Sequence, residues 1–381
     1  MSIHLQTNFP GGNACAIDVQ EAPDRDLVYF AADPRGRTDA LWFYFRVDEC
    51  SERPVEVILT NLDTCHGGQS EHWQRVRPVI RQAGATWERL PGARVETLDD
   101  GRHQAAWTVV PRYGSFECAL CYPYGLGDLE IARAACGRYW NLAPIGVTSS
   151  GQPLPRLSNI GSAKQTPGLY LVARQQAAET PGSWVLDGLL RRAATGLDPA
   201  DLLIWATPFA DPDIALSAAQ TSPPLPAAIH QAWTIPPHRH ETRVIQSDLD
   251  RWAQRAKPTL VVDFHAPEPT EAGGAYFTPP HCERPTASLA ATHNAIDAIA
   301  PALPNALLHT RLTHQPNPPL AGEINAPLDA YIWDHFEIPT LLLNIPYTTS
   351  HHTLFTRQEY QRLGATLLQG ICAHLQVPLA G

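Results

Sequence analysis

Polar residues stand where several apolar runs of this sequence end, and their types could support metal binding or proton transfer. Gln176 and Glu179 follow the run GLYLVAR, His265 closes TLVVDFH, and Asn344 lies within TLLLNIPY. A carboxylate and an imidazole can each ligate a metal ion or exchange a proton. The side-chain amides of Gln176 and Asn344 do not ionise near neutral pH and can only form hydrogen bonds.

Glu179 and His265 each have a structural interpretation beside the chemical one. Thr180 suits a helix N-cap and Pro181 a first helical turn, so Glu179 precedes a helix whose dipole favours a carboxylate. Asp263 lies two residues before His265, and both side chains point the same way from an ideal strand. The residues leave open whether this pair binds a metal or only forms hydrogen bonds.

Other histidines and cysteines are weaker candidates for chemistry. His230, in AIHQAW, could serve as a metal ligand or as a general base near neutral pH, and a solvated loop histidine is the alternative. The close histidines of PPHRHE and SHHTLF lie in Pro- or Ser-flanked segments, which favours surface loops. Cys118 and Cys121 form a CxxC within an apolar run, and no second CxxC completes a zinc knuckle. Two buried thiols are therefore predicted.

The strand-end residues need a sheet that brings their ends to one edge. After residue 124 the sequence alternates apolar strand-like runs with helix-like segments, of which TPGSWVLDGLLRRAATG is the best marked. The run GLYLVAR is typical of a strand that is buried on both faces. The pattern predicts an α/β domain over residues 125–381 with a mostly parallel mixed sheet, whose working residues lie beyond the carboxyl ends of the strands.

The first part of the chain is different. Short runs rich in β-branched and aromatic residues, such as DLVYFAAD, VEVILTNL and QAAWTVV, are separated by turn clusters such as DPRGRTD and LDDGRH. This pattern predicts an N-terminal antiparallel β-sandwich domain over residues 1–124. It carries no catalytic constellation, so we expect the chemistry in the second domain.

Composition excludes several classes of partner. The 381 residues are 44% hydrophobic, and the formal net charge is −10, which gives no electrostatic footprint for nucleic acid or an anionic membrane. No window approaches the ~18 consecutive apolar residues of a membrane span. The start MSIHLQTNFPGGNA has no basic segment followed by an apolar one, so a cytoplasmic protein is expected. Homo-oligomer formation is left open.

The order of several motifs resembles a known family. The segments that carry this resemblance are FYFRV, CYPYG, ARQQAAETPGSWVLDGLL, PFADPD, TSPPLPAAIHQAW and VVDFHAP. Together they resemble the zinc metallocarboxypeptidases of the funnelin type, in particular the cytosolic carboxypeptidase branch. The resemblance covers nearly the whole chain and implies a carboxypeptidase-like α/β domain behind a β-sandwich. The family binds zinc through His-x-x-Glu and a later His. Glu179 and His265 fall on two ligand positions, and Gln176 replaces the first histidine.

Further family positions are also substituted. The family's general base, a Glu at the end of a late strand, corresponds to Asn344, and an amide cannot act as a base. The Asn-Arg pair that holds the substrate carboxylate corresponds to His230 and Gln231, and Gln cannot replace a guanidinium fork. Tyr347 is carried over as a substrate-binding position. The resemblance thus implies a degenerate site with zinc binding in doubt and no other cofactor.

Three functions follow from this reading. The favoured one is binding of a peptide or small-molecule ligand in the remnant pocket without ordinary carboxypeptidase activity. The alternative is altered chemistry, such as amide or ester hydrolysis in a specialised biosynthetic pathway, that uses Glu179, His265 and His230. The third is an active zinc carboxypeptidase, which would need His230 as a ligand and a carboxylate such as Glu323 or Glu359.

Overall fold

A computed structural model describes residues 3–35, 40–65, 70–216, 232–278, 284–308, 327–350 and 353–381. Its first part holds ten strands, which are β1 His4–Gln6, β2 Cys15–Glu21, β3 Asp26–Ala31, β4 Tyr44–Asp48, β5 Val55–Leu59, β6 Val79–Gln82, β7 Glu88–Arg89, β8 Arg94–Thr97, β9 His103–Val109 and β10 Phe116–Ala119. Short 3-10 helices at Leu62–Thr64 and Ser70–Arg75 connect some of these strands.

These ten strands form two five-stranded sheets that pack face to face. The strand orders are β1-β4-β10-β6-β7 and β2-β3-β5-β9-β8. Phe30 of β3 lies 4.7 Å from Phe45 of β4 and 5.2 Å from Phe43, measured between ring centroids, so aromatic rings join the two sheets. The predicted antiparallel sandwich is confirmed, with one parallel pair, β3 and β5, that the sequence did not indicate. The boundary proposed at residue 124 stays a prediction and lies between β10 and the first α-helix.

The second part holds nine strands and seven α-helices among the described residues. The strands are β11 Asn141–Val147, β12 Pro153–Ser158, β13 Pro167–Ala173, β14 Leu203–Thr207, β15 Lys257–His265, β16 Tyr276–Thr278, β17 Thr340–Asn344, β18 Thr349–Ser350 and β19 Thr353–Leu354. The helices are α1 Leu126–Ala135, α2 Thr180–Gly196, α3 Pro212–Leu216, α4 His240–Ala253, α5 Thr286–Ile299, α6 Leu328–Phe336 and α7 Arg357–Leu375, with 3-10 turns at Ala300–Ala302 and Asn305–Leu307.

Seven of these strands form one mixed sheet in the order β11-β12-β14-β13-β15-β17-β16. The four central strands β14, β13, β15 and β17 are mutually parallel, and the flanking pairings are antiparallel. The predicted mostly parallel mixed sheet is therefore confirmed. The hairpin β11–β12 was missed because its prolines are typical of loops. Pro144 lies in the edge strand β11, where proline is tolerated.

Helices cover both faces of this sheet, as the alternation along β13 shows. Leu169 and Leu171 pack in the core that includes α2, α5 and α7, whereas Tyr170 and Val172 pack in a second core that includes α4 and α6. Side chains alternate across a strand, so a strand between two helical layers is apolar at every position. This is why GLYLVAR reads as a continuous apolar run.

The two parts of the chain are joined by buried contacts of Arg89 in β7. Its guanidinium donates hydrogen bonds to the carbonyl of Tyr347 at 2.6 Å and of Phe355 at 2.8 Å, and lies over the ring of Tyr122. Cys121 packs beside it, and both thiols of the CxxC are buried and free, as predicted. Within the described ranges, no helix combines the length and apolar character needed to cross a membrane.

Candidate functional site

The predicted strand-end residues meet at the carboxyl edge of the parallel strands. β13, β15 and β17 run side by side, and the register pairs Ala173 with Phe264 and His265 with Asn344. The turn after β13 carries Gln176 and leads into α2, for which Glu179 is the N-cap residue. The helix cap thus lies one residue before the predicted Thr180, because the backbone of Thr180 is already helical.

A sharp turn after β13 sets the direction of the side chains that follow. Arg174 has a φ of 59°, in the left-handed region that non-glycine residues seldom adopt. Its buried guanidinium holds the turn by donating to the carbonyls of Tyr124 at 3.2 Å and Ala215 at 3.3 Å. Burial lowers the pKa of Arg174 to about 10, which keeps it charged near neutral pH. This bend turns Gln175, the next residue, into the protein.

His265 lies between two buried carboxylates at the centre of the site. Its Nδ1 is 2.7 Å from Oε1 of Glu179, and its Nε2 is 2.9 Å from Oδ2 of Asp263. Glu179 is 1% exposed and Asp263 is 2% exposed, so water screens these charges poorly. The other oxygen of Glu179 accepts the backbone N–H of Gln176 at 2.9 Å.

The two carboxylates determine the protonation state of this histidine. Burial by itself would lower the pKa of His265, but the charges of Asp263 and Glu179 and their hydrogen bonds outweigh it. The pKa of His265 therefore lies well above its ordinary value, which favours the imidazolium form that donates from both nitrogens. The predicted closeness of Asp263 and His265 is present, and whether His265 also binds a metal stays a prediction.

An amide that the sequence reasoning missed completes the cluster. Nε2 of Gln175 donates to both oxygens of Asp263, at 2.8 and 2.7 Å, and Oε1 of Gln175 accepts the indole N–H of Trp233 at 3.1 Å. Gln175 is 1% exposed and Trp233 is 2% exposed. We call Glu179, His265, Asp263, Gln175 and Trp233 the His265 cluster.

Other predicted positions surround the His265 cluster. Asn344 donates to the hydroxyl of Thr278 at 2.6 Å, and Gln176 is half-buried. Tyr347 is buried, and its main-chain carbonyl accepts from Arg89, so its assignment to substrate binding stays a prediction.

Three predicted residues lie outside the described part of the chain. His230 and Gln231 lie outside the described residues, as does Glu323. Glu359 is placed, and it accepts the backbone N–H of Thr356 at 3.3 Å as part of the cap of α7. The structure therefore brings together Gln176, Glu179, His265 and Asn344, and says nothing of the substituted carboxylate-binding pair.

The donor set bears on whether a metal ion fits. Glu179 and His265 supply two ligands of the types that zinc accepts, and a catalytic zinc site has three protein ligands. An amide oxygen, the side chain available at Gln176, is a poor third ligand for zinc. In the described part of the chain, no group of three or more His, Cys, Asp or Glu side chains is arranged to hold a metal.

Comparisons with known proteins agree with this architecture. Residues 5–119 match the cytosolic carboxypeptidase N-terminal domain. An uncharacterized protein of Zymomonas mobilis is 23% identical over 279 residues, which are 70% of this chain and 68% of that protein. Cytosolic carboxypeptidase 2 of Xenopus tropicalis is 25% identical over 189 residues, which are 42% of this chain but only 19% of that longer protein.

Solved structures of similar fold cover almost the whole chain. A metallo-carboxypeptidase from Burkholderia cenocepacia has a TM-score of 0.79 and 18% identity, and covers 98% of this chain and 99% of its own. A metallo-carboxypeptidase from Pseudomonas aeruginosa, in complex with (2-guanidinoethylmercapto)succinic acid, has a TM-score of 0.75 and 16% identity over 97% and 98%. At such identities the likeness is one of fold. The predicted carboxypeptidase-like fold behind a β-sandwich is confirmed.

Proposed function

We propose that this chain, a cytosolic carboxypeptidase-like homologue with a metallo-carboxypeptidase fold, binds a peptide or small-molecule ligand at the His265 cluster without acting as an ordinary carboxypeptidase. The fold supplies the position, since ligands of such sheets bind beyond the carboxyl ends of the parallel strands. Fold alone does not decide activity, so the proposal depends on the side chains that occupy that edge.

The observation that carries the proposal is the double hydrogen bonding of His265. Both ring nitrogens face carboxylate oxygens within 2.9 Å, so no lone pair of the ring remains for a metal while the imidazolium is formed. Glu179 in turn receives hydrogen bonds from His265 and from the N–H of Gln176. A metal would have to displace a proton and break these contacts, and the described residues supply two protein ligands instead of the usual three.

The proposal also draws on the residue at the neighbouring strand end. Asn344 is paired in register with His265, and the family resemblance assigns it to the position of the general base. Its amide donates to Thr278 and has no basic nitrogen or carboxylate to accept a proton. The same arrangement supports binding, because buried groups that hydrogen-bond to one another hold the strand ends rigid, and a ligand would lie beyond those ends.

Metal content and peptidase activity of the purified chain test the proposal. We expect elemental analysis to find zinc well below one ion per chain, and peptides incubated with the protein and added zinc to keep their C-terminal residues. Stoichiometric zinc together with release of C-terminal amino acids would show an active zinc carboxypeptidase instead. Hydrolysis of amides or esters other than C-terminal peptide bonds would support the altered-chemistry alternative.

A gain-of-function variant makes this test sharper. Gln176→His restores the third ligand of the His-x-x-Glu pattern, so zinc affinity measured by calorimetry should rise by at least about tenfold. The matched control is Gln358→His, the same substitution at an exposed position of α7, which should leave zinc affinity unchanged. Equal affinities of wild type and Gln176→His would mean that Gln176 is not the missing ligand.

A further inference from the structure

A polar cavity of about 510 Å³ lies beside the β11–β12 hairpin of the same sheet. Its walls come from this hairpin, β14, α4 and the turn after α4. Trp205 lies in the middle of β14, and Arg255 lies in the turn between α4 and β15. None of the described lining residues belongs to the His265 cluster, so the cavity is distinct from it.

Three guanidinium groups line this cavity, and among its described lining residues Asp248 carries the only carboxylate. The arginines are Arg156 of β12, Arg251 of α4 and Arg255. Asp248, Arg251 and Arg255 lie on one face of α4 and its C-terminal turn, since their spacings of three and four residues match the helical repeat. We call these four residues the arginine cavity.

Asp248 does not satisfy the arginines around it. Nη1 of Arg156 and Nη2 of Arg251 approach the same oxygen, Oδ1, at 3.4 and 3.5 Å, which is longer than an ordinary hydrogen bond. The other oxygen of Asp248 is taken by the hydroxyl of Tyr170 at 3.0 Å. Burial raises the pKa of Asp248 above its ordinary value.

Arg156 is held rigidly in this crowded position. Its guanidinium carbon lies 3.6 Å from the centre of the Trp205 ring, and the side chain is only 14% exposed. Its Nε is buried without a hydrogen-bond partner among the described residues. Burial lowers the pKa of Arg156, and Arg251 and Arg255 act in the same direction while Asp248 opposes them. Such a preorganised guanidinium suits an oxyanion.

We propose that the arginine cavity binds a small molecule through a dianionic phosphate group. Three guanidinium groups against one carboxylate leave an excess of positive charge and of N–H donors, and a tetrahedral oxyanion supplies several acceptors at once. The volume exceeds that of phosphate alone and lies within the range of small-molecule sites, so the natural ligand is a phosphorylated metabolite. The site does not depend on the function proposed for the His265 cluster.

Inorganic phosphate, titrated into the full-length protein by calorimetry and by 31P line broadening, tests this site. Chloride at matched ionic strength is the reference. We expect saturable phosphate binding to the wild type and a rise in Kd of at least about tenfold in Arg251→Gln/Arg255→Gln, because two charge-assisted contacts are lost. Both side chains are exposed, so the fold should tolerate the change, and circular dichroism and thermal unfolding of the variant would check this.

Arg243→Gln is the control, since Arg243 is exposed on α4 outside the cavity and its substitution removes one charge of the same kind. It should leave the phosphate Kd unchanged. Absence of saturable phosphate binding to the wild type overturns the proposal. An equal loss of affinity in Arg243→Gln overturns it too, because the attraction would then come from the general charge of α4.

Discussion

The His265 cluster and the arginine cavity both gather charged side chains on the seven-stranded sheet, but they balance charge differently. At the carboxyl edge His265 is shared between Glu179 and Asp263, and each ring nitrogen lies 2.7–2.9 Å from a carboxylate oxygen. In the arginine cavity Arg156 and Arg251 share Asp248 at 3.4–3.5 Å. In the His265 cluster the hydrogen-bonding groups satisfy one another, whereas in the arginine cavity guanidinium N–H donors remain unsatisfied. Charge alone therefore does not distinguish the two sites, and the difference lies in whether the charged groups already satisfy one another.

The largest loss of stability should come from removing a carboxylate of the His265 cluster. Asp263→Ala removes one of the two acceptors of His265 and the partner of Gln175, so the free energy of unfolding should fall by about 3–5 kcal/mol. Urea denaturation followed by circular dichroism measures this. Asp250→Ala, at an exposed position of α4, should change stability by less than about 0.5 kcal/mol. Similar losses in the two variants would show that the cluster does not stabilise the fold.

A smaller loss should follow when the neutral member of the same cluster is removed. Gln175→Leu keeps the approximate size of the side chain but leaves the indole N–H of Trp233 without its acceptor. An unsatisfied buried polar group costs about 1–3 kcal/mol, so unfolding should require correspondingly less urea. Gln358→Leu on the surface of α7 is the control. An unchanged midpoint in Gln175→Leu would contradict the role assigned to this amide.

The arginine cavity should bind phosphate more tightly when its carboxylate is removed. Asp248→Asn removes the one negative charge of the arginine cavity while its amide oxygen can still accept from Tyr170. Phosphate affinity measured by calorimetry should rise by roughly threefold to tenfold, because the arginines lose their competing anion. Asp263→Asn, the same change at the carboxyl edge, should leave phosphate affinity as it is. A weaker affinity in Asp248→Asn would mean that this carboxylate orients the arginines.

The smallest effect should come from salt, which should affect the arginine cavity and not the His265 cluster. Raising NaCl from about 0.05 M to about 0.5 M should weaken phosphate binding severalfold, because Arg251 and Arg255 are exposed to counterions. The destabilisation caused by Asp263→Ala should stay the same, since the His265 cluster is buried. Paired titrations and urea curves at the two salt concentrations measure this. Equal salt sensitivity of phosphate binding and of the Asp263→Ala destabilisation would contradict the distinction between a buried cluster and an exposed cavity.

The sequence by itself determined the architecture and the location of the first site. Apolar runs with period-two or helical spacing follow from which faces are buried, so they indicated the sandwich, the α/β domain and the strand-end positions of Glu179, His265 and Asn344. The pairing of Asp263 with His265 could also be predicted, since residues two apart share one face of a strand.

Only the tertiary structure decided which of these groups touch and which do not. Nothing local shows that Gln175, rather than Gln176, reaches Asp263, because the left-handed turn at Arg174 sets that direction. The arginine cavity could not be predicted from the sequence for a related reason, since Arg156 and Asp248 are 92 positions apart in the chain. Local patterns record burial, whereas contacts between distant residues depend on strand order and register, which the packed sheet alone fixes.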